Sequence, residues 1–390
     1  MGFCISKQTY DIEKFENTNI KRFEGSYINE KKNGYCIEFS IEGKKIYEGQ
    51  FLNNLKTGLG KLYNDKEELI YDGEFENDMR NGQGIEYVNK NKVYEGLWLD
   101  NNKTGYGNLY YQKYTNIIYY SGFFLNNKKH GAGTIYYKNN NIKLTGYWEN
   151  NLLLNGTEYW ENKVIKYEGS FKDDKYFGES IIYLNNGNIH YEGTFLNGYK
   201  YGNGKEYDCC NQLIYDGDWI NNMKTGYGKI YKNNLLYYSG FLLNNKKEGH
   251  GKLFLTNTKY IGNFSNDYYD GHGNLFNNNL LVYSGKFKYG LKHGKGKLYK
   301  DDYLQYEGDF YNDCKQGYGI LYYPNSDIIQ YKGAFVNDMR HGFGSLYFSN
   351  SNICYKGLWC NNMSDGYGEE YDIHGKLIYK GQWSYNNKIN

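Results

Sequence analysis

The sequence predicts an all-β protein built from tandem β-hairpins, and two observations support this prediction. Among 390 residues, Gly and Tyr each occur 49 times, whereas Pro occurs once. Aromatic residues favour strands, and Gly in a helix costs about 1 kcal/mol relative to Ala, so the composition favours β-structure. The second observation is a motif that recurs every 22 to 26 residues along nearly the whole chain. A short period of this kind predicts a repeat array and not a globular core.

Each repeat reads aromatic-x-Gly-x-aromatic, followed by an Asn-rich polar turn and Gly-x-Gly-x-aliphatic-Tyr. Clear copies are YEGQFLNNLKTGLGKLY from Tyr47, YDGEFENDMRNGQGIEY from Tyr71 and YDGDWINNMKTGYGKIY from Tyr215. The first residue of the motif is the leading residue, and it is aromatic in every repeat but one. The 16 leading residues are Phe23, Tyr47, Tyr71, Tyr94, Tyr120, Leu144, Tyr167, Tyr191, Tyr215, Tyr238, Tyr260, Tyr283, Tyr306, Tyr331, Tyr355 and Tyr379.

Each repeat predicts two strands and a turn, because alternate residues of a strand face the same side of a sheet. In the first strand Tyr47, Gly49 and Phe51 are then expected on one face. In the second strand Gly58 and Gly60 are expected to share a face by the same rule. A ring can cover the space that a glycine leaves, and Asn suits a tight, left-handed turn between the strands.

One hairpin is marginally stable in water, whereas neighbouring hairpins in one sheet cover one another's rings. We therefore expect residues 23–390 to form an elongated, single-layer antiparallel β-ribbon of about 16 repeats. Two strands per repeat at about 4.8 Å each give a length on the order of 150 Å. Residues 1–22 precede this array as an N-terminal segment.

Three repeats depart from the motif. Cys36, Glu158 and Ser180 stand where the second glycine of Gly-x-Gly is expected, and Leu144 begins the repeat that contains Glu158. Two of these departures fall in consecutive repeats, so the sequence predicts a bend or hinge within residues 144–190. Neutral variation in a tolerant array is the alternative explanation.

The repeats resemble the MORN motif (membrane occupation and recognition nexus), whose units read roughly YEGxWxNGKxHGxG. The resemblance extends from residue 23 to about residue 387. Similar repeats occur in junction-forming membrane proteins, axonemal spoke proteins, cytoskeletal scaffolds of parasite budding and, as appendages, in lipid kinases. The resemblance therefore implies a scaffold or binding role, and it implies no single partner.

The first residues, MGFCISKQ, match the M-G-x-x-x-[ST] pattern of N-myristoylation. Gly2 is the acceptor, Ser6 stands at the required position, and Cys4 is placed for palmitoylation. One myristoyl chain gives only reversible membrane binding, with an association constant of about 10⁴ M⁻¹, and a second acyl chain makes the attachment stable. The sequence thus predicts a lipid anchor at Gly2 and Cys4, and a chance match is the alternative.

A basic residue recurs in the hairpin turns, and successive turns are expected about 10 Å apart along one edge of the ribbon. Such an edge can bind anionic phospholipid, or it can keep the ribbon soluble and discourage edge-to-edge association. Acidic residues that recur in the same repeats favour the second role. These turn cations are Lys56, Arg80, Lys103, Lys128, Lys129, Lys224, Lys246, Lys247, Lys292, Lys315 and Arg340.

The remaining aromatic residues of interest fall into two groups. Tyr residues between the two glycines of a repeat are expected on the face opposite the rings, where we predict that they contact a protein partner, because aromatic residues are enriched at binding hot spots. These are Tyr106, Tyr227, Tyr318 and Tyr367. Trp at the second aromatic position is expected to pack over glycines: Trp98, Trp148, Trp219, Trp359 and Trp383.

Several functions are not favoured by the sequence. A formal net charge of +2 gives no field that attracts nucleic acid. The Gly-x-Gly strings lack the GxxxxGK[ST] arrangement, and GxSxG, HExxH and kinase signatures are missing, so we expect no enzyme and no cofactor. The histidines follow the repeat and not a ligand geometry, so no metal site is expected. Seven cysteines without paired spacing fit a reducing compartment, and neither a secretory signal nor a membrane-spanning apolar run is recognised.

Together these observations predict a non-enzymatic scaffold that is anchored to the cytoplasmic face of a membrane and organises protein partners there or at a membrane-associated cytoskeleton. The alternatives are an adaptor that binds a helix or peptide of one partner along its groove, and a phosphoinositide-binding or regulatory subunit of an enzyme. Open ribbon ends would allow homodimers. Abundant Asn, Lys, Ile and Tyr indicate an AT-rich genome such as that of a malaria parasite, which by resemblance points to the plasma membrane or the inner membrane complex.

Overall fold

Strands make up most of the backbone described by the structure, a computed structural model that covers residues 8–113 and 116–389. The residues in these two ranges form 33 strands and no helix. The chain divides into an N-terminal unit that ends at Tyr199 and a C-terminal unit that begins at Lys200. The predicted fold class, an all-β antiparallel array of tandem hairpins, is confirmed.

The N-terminal unit contains β1 (Thr9–Lys14), β2 (Lys21–Ile28), β3 (Lys31–Phe39), β4 (Lys45–Leu52), β5 (Leu55–Tyr63), β6 (Leu69–Glu76), β7 (Met79–Val88), β8 (Asn91–Leu99), β9 (Asn102–Tyr110), β10 (Ile118–Leu125), β11 (Lys128–Tyr136), β12 (Ile142–Glu149), β13 (Leu152–Tyr159), β14 (Ile165–Lys172), β15 (Lys175–Tyr183) and β16 (Ile189–Leu196). Each strand pairs antiparallel with the next one along the chain. β1 lies within the segment that precedes the repeats, and it covers the outer edge of β2, which would otherwise expose unpaired backbone groups.

The C-terminal unit contains β17 (Tyr199–Tyr207), which starts one residue before the unit, β18 (Leu213–Ile220), β19 (Met223–Lys232), β20 (Leu235–Leu243), β21 (Lys246–Phe254), β22 (Thr258–Ser265), β23 (Tyr268–Asn277), β24 (Leu280–Lys288), β25 (Leu291–Lys300), β26 (Tyr303–Tyr311), β27 (Cys314–Tyr322), β28 (Ile329–Val336), β29 (Met339–Tyr347), β30 (Ile353–Cys360), β31 (Met363–Tyr371), β32 (Leu377–Ser384) and β33 (Asn387–Lys388). These strands also pair antiparallel in chain order.

The turn of the β4–β5 hairpin shows how the Asn-rich segments are used. Asn53 and Asn54 have φ angles of 52° and 75°. Two successive positive φ angles define a type I′ turn, which suits the twist of antiparallel strands and favours Asn. The Asn54 side chain also accepts a hydrogen bond from the Lys32 backbone N–H of the preceding repeat, at 2.8 Å. The turn residue predicted from the sequence therefore joins neighbouring repeats as well as strands.

Aromatic residues form a ladder of rings on one face of the sheet, which we call the aromatic face. Tyr71 contacts Phe75 of its own repeat and Trp98 of the next, with ring centroids 5.1 and 5.4 Å apart and nearly perpendicular planes. Such edge-to-face pairs contribute roughly 0.5–1.5 kcal/mol each beyond burial. Tyr71 is fully buried, and its hydroxyl donates to the Glu74 carbonyl at 3.0 Å. The buried phenol is therefore satisfied within its own repeat.

Two central glycines make room for each buried tyrosine. Gly73 and Gly84 face each other across the hairpin of Tyr71. A Cβ atom added to Gly84 would overlap the Tyr71 hydroxyl and ring, and one added to Gly73 would overlap the Gly84 backbone. A repeat with this tyrosine in place thus requires both glycines.

The first glycine of Gly-x-Gly does not face the aromatic side. Gly58 has a φ of +55°, and a Cβ added there would approach Gln50, on the opposite face from the Tyr47 ring. A Cβ added to Gly60 would instead overlap Tyr47. The prediction that Gly58 and Gly60 share a face is therefore wrong, because a β-bulge in the second strand breaks the alternation of side chains.

The ring ladder is interrupted in the N-terminal unit at Leu144. Leu153 lies where other repeats hold the phenol, since a Cβ added to Gly146 would be 2.7 Å from the Leu153 Cδ1. This hairpin is also one residue shorter in its second strand, so Gly146 pairs with Gly156, and Glu158 pairs with Leu144. The prediction that Glu158 replaces the second glycine is wrong for this reason. The bend within residues 144–190 stays a prediction.

Cys36 and Ser180 do occupy the second glycine position, each paired with the first central glycine of its repeat. Phe23 leads the repeat of Cys36, and the missing hydroxyl leaves space for the thiol. Tyr167 leads the repeat of Ser180 and keeps its hydroxyl, which hydrogen-bonds Ser180 at 2.7 Å. The Tyr167 ring lies 6.1 Å from that of Phe195, farther than the 5.4 Å between Tyr71 and its neighbour in the next repeat. In both repeats, a side chain in place of the second glycine therefore occurs together with a leading residue that lacks a hydroxyl or whose ring is displaced.

Candidate binding surfaces

The predicted lipidation residues, Gly2 and Cys4, lie outside the described residues. In the part of the chain that the structure describes, no helix is long and apolar enough to cross a membrane. A membrane role of the N-terminal segment therefore rests on its sequence pattern.

Most of the turn cations lie on the aromatic face and not along an exposed edge. The Lys56 Nζ is 4.7 Å from the centre of the Tyr47 ring. The β-bulge that places Gly58 on the face opposite the rings also turns Lys56 toward the rings, where it pairs with Phe51 across the hairpin. A cation over the leading ring recurs at Arg80, Lys103, Lys129, Lys224, Lys247, Lys292, Lys315 and Arg340.

Carboxylates on the aromatic face pair with several of these cations. Lys56 forms an ion pair with Glu38 at 2.9 Å. Glu206 accepts hydrogen bonds from Lys200 and Lys224 at 2.7 and 2.9 Å. Burial alone would raise the pKa of Glu206, but these two hydrogen bonds outweigh it and hold the pKa below the ordinary value. The charges that the sequence suggested for lipid binding are thus partly used within the fold.

Lys128 and Lys246 differ from the other turn cations because both are exposed. Each precedes the cation that covers a leading ring. The Lys246 Nζ is 3.3 Å from the Asn266 amide oxygen of the next turn. Phospholipid binding by the turn cations stays a prediction, and these two residues are the ones best placed for it.

The face opposite the rings, which we call the open face, carries the tyrosines predicted to bind partners. Tyr106, Tyr227, Tyr318 and Tyr367 are each between 50% and 57% exposed. Their cross-strand neighbours are the residues between the glycine and the second aromatic residue of the next repeat, such as Phe123 opposite Tyr106. This second set was not predicted from the sequence, although its alternation with buried Tyr and Phe places it on the open face.

Apolar residues cluster on the open face of each unit. In the N-terminal unit the N-terminal patch consists of Leu97, Tyr106, Phe123 and Tyr147, and the rings of Tyr106 and Phe123 lie 5.8 Å apart. In the C-terminal unit the C-terminal patch consists of Tyr318, Phe343, Leu358 and Tyr367, each at least 41% exposed. Contiguous exposed apolar side chains with no role in the fold mark interaction sites.

A groove of about 680 Å³ crosses the open face of the C-terminal unit between β21 and β27. Its floor is glycine backbone: Gly262, Gly273, Gly285, Gly296 and Gly308. Ile261, Tyr318 and Ile320 supply apolar walls. The charged or titratable lining residues are His250, His272, Lys295, Lys297 and Glu307.

Histidines at the position before the first glycine do not converge. The Nδ1 atoms of His130, His293 and His341 are buried without a hydrogen-bond partner among the described residues. Across residues 8–113 and 116–389, no group of three or more His, Cys, Asp or Glu side chains is arranged to hold a metal ion.

The hairpins, the ring ladder and the open face define a β-hairpin repeat protein with exposed apolar and charged surfaces on its sheet. The sequence profile of the MORN repeat family matches eleven segments that together cover more than half of the chain, and the chain belongs to this family. The matched residues are 47–66, 71–92, 94–115, 120–142, 167–188, 215–235, 238–257, 260–279, 283–304, 306–328 and 331–353. The irregular repeat that Leu144 leads is among those left unmatched. A comparison with curated proteins gives no significant match.

MORN repeats are in general units that bind proteins or membranes, and their all-β fold is typically non-catalytic. The resemblance noted in the sequence is thereby confirmed.

Proposed function

We propose that this protein is a non-enzymatic scaffold, attached to a membrane through its acylated N-terminus, that binds protein partners on its open face. The observation that carries the proposal is the exposed apolar surface of that face. Tyr106 and Phe123 in one unit, and Phe343 and Leu358 in the other, are large side chains that contribute nothing to the buried ladder. Keeping them exposed is costly unless a partner covers them.

A scaffold is favoured over a single-site binder because apolar patches recur along the chain. Polar residues hold several of the equivalent open-face positions between the two patches in sequence, namely Glu179, Thr194, Asn203 and Asp218. The exposed pair of Tyr227 and Phe241 forms a further apolar position between them. Each patch is thus a separate site with its own side chains. Several partners can be held side by side by one chain.

Membrane attachment follows from Gly2 and Cys4 if both are acylated, since two acyl chains give stable binding. The same chemistry requires access to cytoplasmic acyl transfer, which agrees with the cytoplasmic face of the plasma membrane or the inner membrane complex and with a link to the cytoskeleton. Phospholipid contact by Lys128 and Lys246 would add only to this anchor. We also propose that the protein forms homodimers.

A second candidate is an adaptor for one partner. The groove between β21 and β27 favours it, because it is a single concave site with both charged and apolar walls. Proximity labelling from the full chain separates the two functions. A scaffold gives several labelled proteins, of which different subsets are lost when each patch is changed, whereas one protein labelled in proportion to the chain indicates an adaptor.

The anchor is tested by fractionating cells that express Gly2→Ala, Cys4→Ser or Lys14→Ala chains. Gly2→Ala is expected to be soluble, because palmitoylation of Cys4 depends on prior membrane contact. Cys4→Ser is expected to bind weakly and reversibly, and the control Lys14→Ala to stay in the membrane fraction. Tight membrane association of Gly2→Ala would refute the lipid anchor.

A further inference from the structure

The groove between β21 and β27 differs in chemistry from the rest of the open face. We propose that it binds an extended acidic segment of a partner protein and seats an apolar side chain of that segment against Tyr318. This inference rests on the proposed role of the open face in partner binding, and it assigns one site and one class of ligand to that role.

The shape of the groove follows from small residues in neighbouring strands. Its floor is the glycine column, where no side chain rises from the sheet on either strand of a pair. Asn274 and Ser284, which pair across β23 and β24, are short residues beside this column. A volume of about 680 Å³ with a backbone floor suits a narrow, extended chain.

Basic side chains outnumber carboxylates at the groove. His250, His272, Lys295 and Lys297 line it, whereas the carboxylates are Glu307 in the lining and Asp309 beside Lys295. Neither histidine has a hydrogen-bond or carboxylate partner among the residues that the structure describes. A ligand with carboxylates therefore finds donors along the length of the groove.

The lysines of the groove are free to change partners. Lys297 lies 3.2 Å from Glu307, and Lys295 lies 3.5 Å from Asp309. The Lys295 side chain is 86% exposed, so its pair is worth little in water. An acidic ligand that brings several carboxylates into the groove can compete for both lysines.

Apolar contact is available beside the charges. Tyr318 is 55% exposed, and Ile320 follows it two residues later on the same face of β27. Ile261 stands at the other side of the groove. An acidic segment that also carries an aromatic or aliphatic residue therefore satisfies more of the site than a purely acidic one.

A protein segment fits the groove better than a membrane surface does. A bilayer is broad and meets only the tips of exposed lysines, whereas the glycine floor lies below them. A single extended chain can enter and contact floor, histidines and Tyr318 together. Binding of anionic lipid in the groove would therefore count against the proposal.

The test is selection of peptides from a displayed random library on the full chain, followed by anisotropy measurements with the selected peptides. We expect enrichment of Asp and Glu together with an aromatic or aliphatic residue. The groove variant His250→Gln/Lys295→Gln/Lys297→Gln should weaken their binding at least about tenfold. The control variant Lys61→Gln/Lys229→Gln/Lys356→Gln removes three exposed open-face lysines elsewhere and should change binding less than about twofold.

Five results would overturn the proposal. Selected peptides without acidic enrichment, or equal losses in the two variants, would remove the groove as an acidic-peptide site. Peptides that lose binding only when Phe343→Ser and Leu358→Ser change the C-terminal patch would leave the scaffold function intact and refute the groove. Binding of phosphatidylserine vesicles that the groove variant abolishes, without any acidic peptide being selected, would assign the groove to lipid. Selection of no peptide by a folded chain would count against both proposals.

Discussion

Two stretches of the N-terminal unit follow the same repeat and solve its packing differently. From Tyr47 to Phe124 every leading residue is a buried tyrosine that contacts a ring of its own repeat and of the next, at 5.1 to 5.4 Å. From Leu144 onward the ladder is interrupted. The Leu153 side chain occupies the place of the phenol, and the ring of Tyr176 stacks on that of Tyr167 with centroids 3.7 Å apart. The first stretch is uniform, and the second combines several local solutions.

The comparison shows that a leading tyrosine in its regular position requires the space above the second glycine of its repeat. In the regular stretch the phenol fills the space above Gly84 and no Cβ fits there. At the start of the chain Phe23 occurs with Cys36, and in the irregular stretch Ser180 occurs with a displaced Tyr167. In both repeats that replace the second glycine, the leading residue thus lacks a hydroxyl or has its ring displaced, whereas the repeat led by Leu144 keeps both central glycines.

The largest effect is expected when leucine, the leading residue of the irregular repeat, is placed at a leading position of the regular stretch. Tyr71→Leu removes two edge-to-face contacts and leaves a cavity above two glycines, so the local free energy of unfolding should fall by about 3 kcal/mol. Leu144→Ala, in the half-buried position, should cost about 1 kcal/mol. Hydrogen exchange resolved by segment is the suitable measurement, because a long array does not unfold in two states. Equal losses at the two sites would contradict the comparison.

A double-mutant cycle tests the pairing of tyrosine and glycine. Gly84→Cys should destabilise its hairpin by about 2 kcal/mol, because the thiol overlaps Tyr71. Tyr71→Phe alone should cost about 1 kcal/mol through the lost hydrogen bond to Glu74. Together they imitate Phe23 with Cys36, and we expect a coupling energy of at least about 1 kcal/mol by segment-resolved exchange. Simple additivity would refute the pairing.

Sequence reasoning succeeded where a single period governs the structure. Tyr47 and Phe51 lie on one face, and Asn53 and Asn54 form the turn, as alternation and turn chemistry predict. It failed at the β-bulge. Gly58 has a left-handed conformation that interrupts the alternation of side chains, and no pattern of residue types shows which residues of the second strand are left unpaired. The position of the turn cations over the rings was hidden for the same reason.

The candidate surfaces were only partly visible in the sequence. Tyr106 and Tyr318 were placed correctly on the open face, since each directly precedes the second glycine of its repeat, which faces the rings. Phe123 was missed because it had to be recognised as the cross-strand neighbour of Tyr106, which depends on register between repeats. The groove depends on several short residues in five successive strands, a property that appears only when the strands are paired.

Alkaline pH tests the burial of the tyrosines in both stretches. Burial raises the pKa of Tyr71 well above the ordinary value of about 10, and it also raises the pKa of Tyr167 and of Tyr176. A group whose pKa is raised by folding stabilises the protein fully below its unfolded pKa, so this contribution is lost as the pH rises above about 10. We expect the buried tyrosines to ionise only at higher pH, so that the last rise in tyrosinate absorbance coincides with the loss of β-sheet circular dichroism. Ionisation of all tyrosines near pH 10 without loss of structure would contradict the burial of the ladder.

The smallest predicted effect concerns the cation over the ring. Lys56→Leu imitates Leu153, removes the cation from Tyr47 and leaves Glu38 without its partner, so we expect a local loss of about 1 kcal/mol. Lys128→Leu, at an exposed position, should cost less than about 0.5 kcal/mol. Segment-resolved exchange compares the two, and an equal response would mean that Lys56 acts only as a surface charge.

In the proposed function, the aromatic face stabilises the fold and the open face binds partners. A direct test measures, on the same preparations, local unfolding free energy and proximity labelling of partners for Tyr318→Ser/Phe343→Ser/Tyr367→Ser and for Tyr331→Leu. We expect the open-face variant to keep its stability within about 1 kcal/mol and to lose labelled partners, whereas Tyr331→Leu should lose about 3 kcal/mol locally. An open-face variant that keeps all its partners, or that unfolds as readily as Tyr331→Leu, would contradict it.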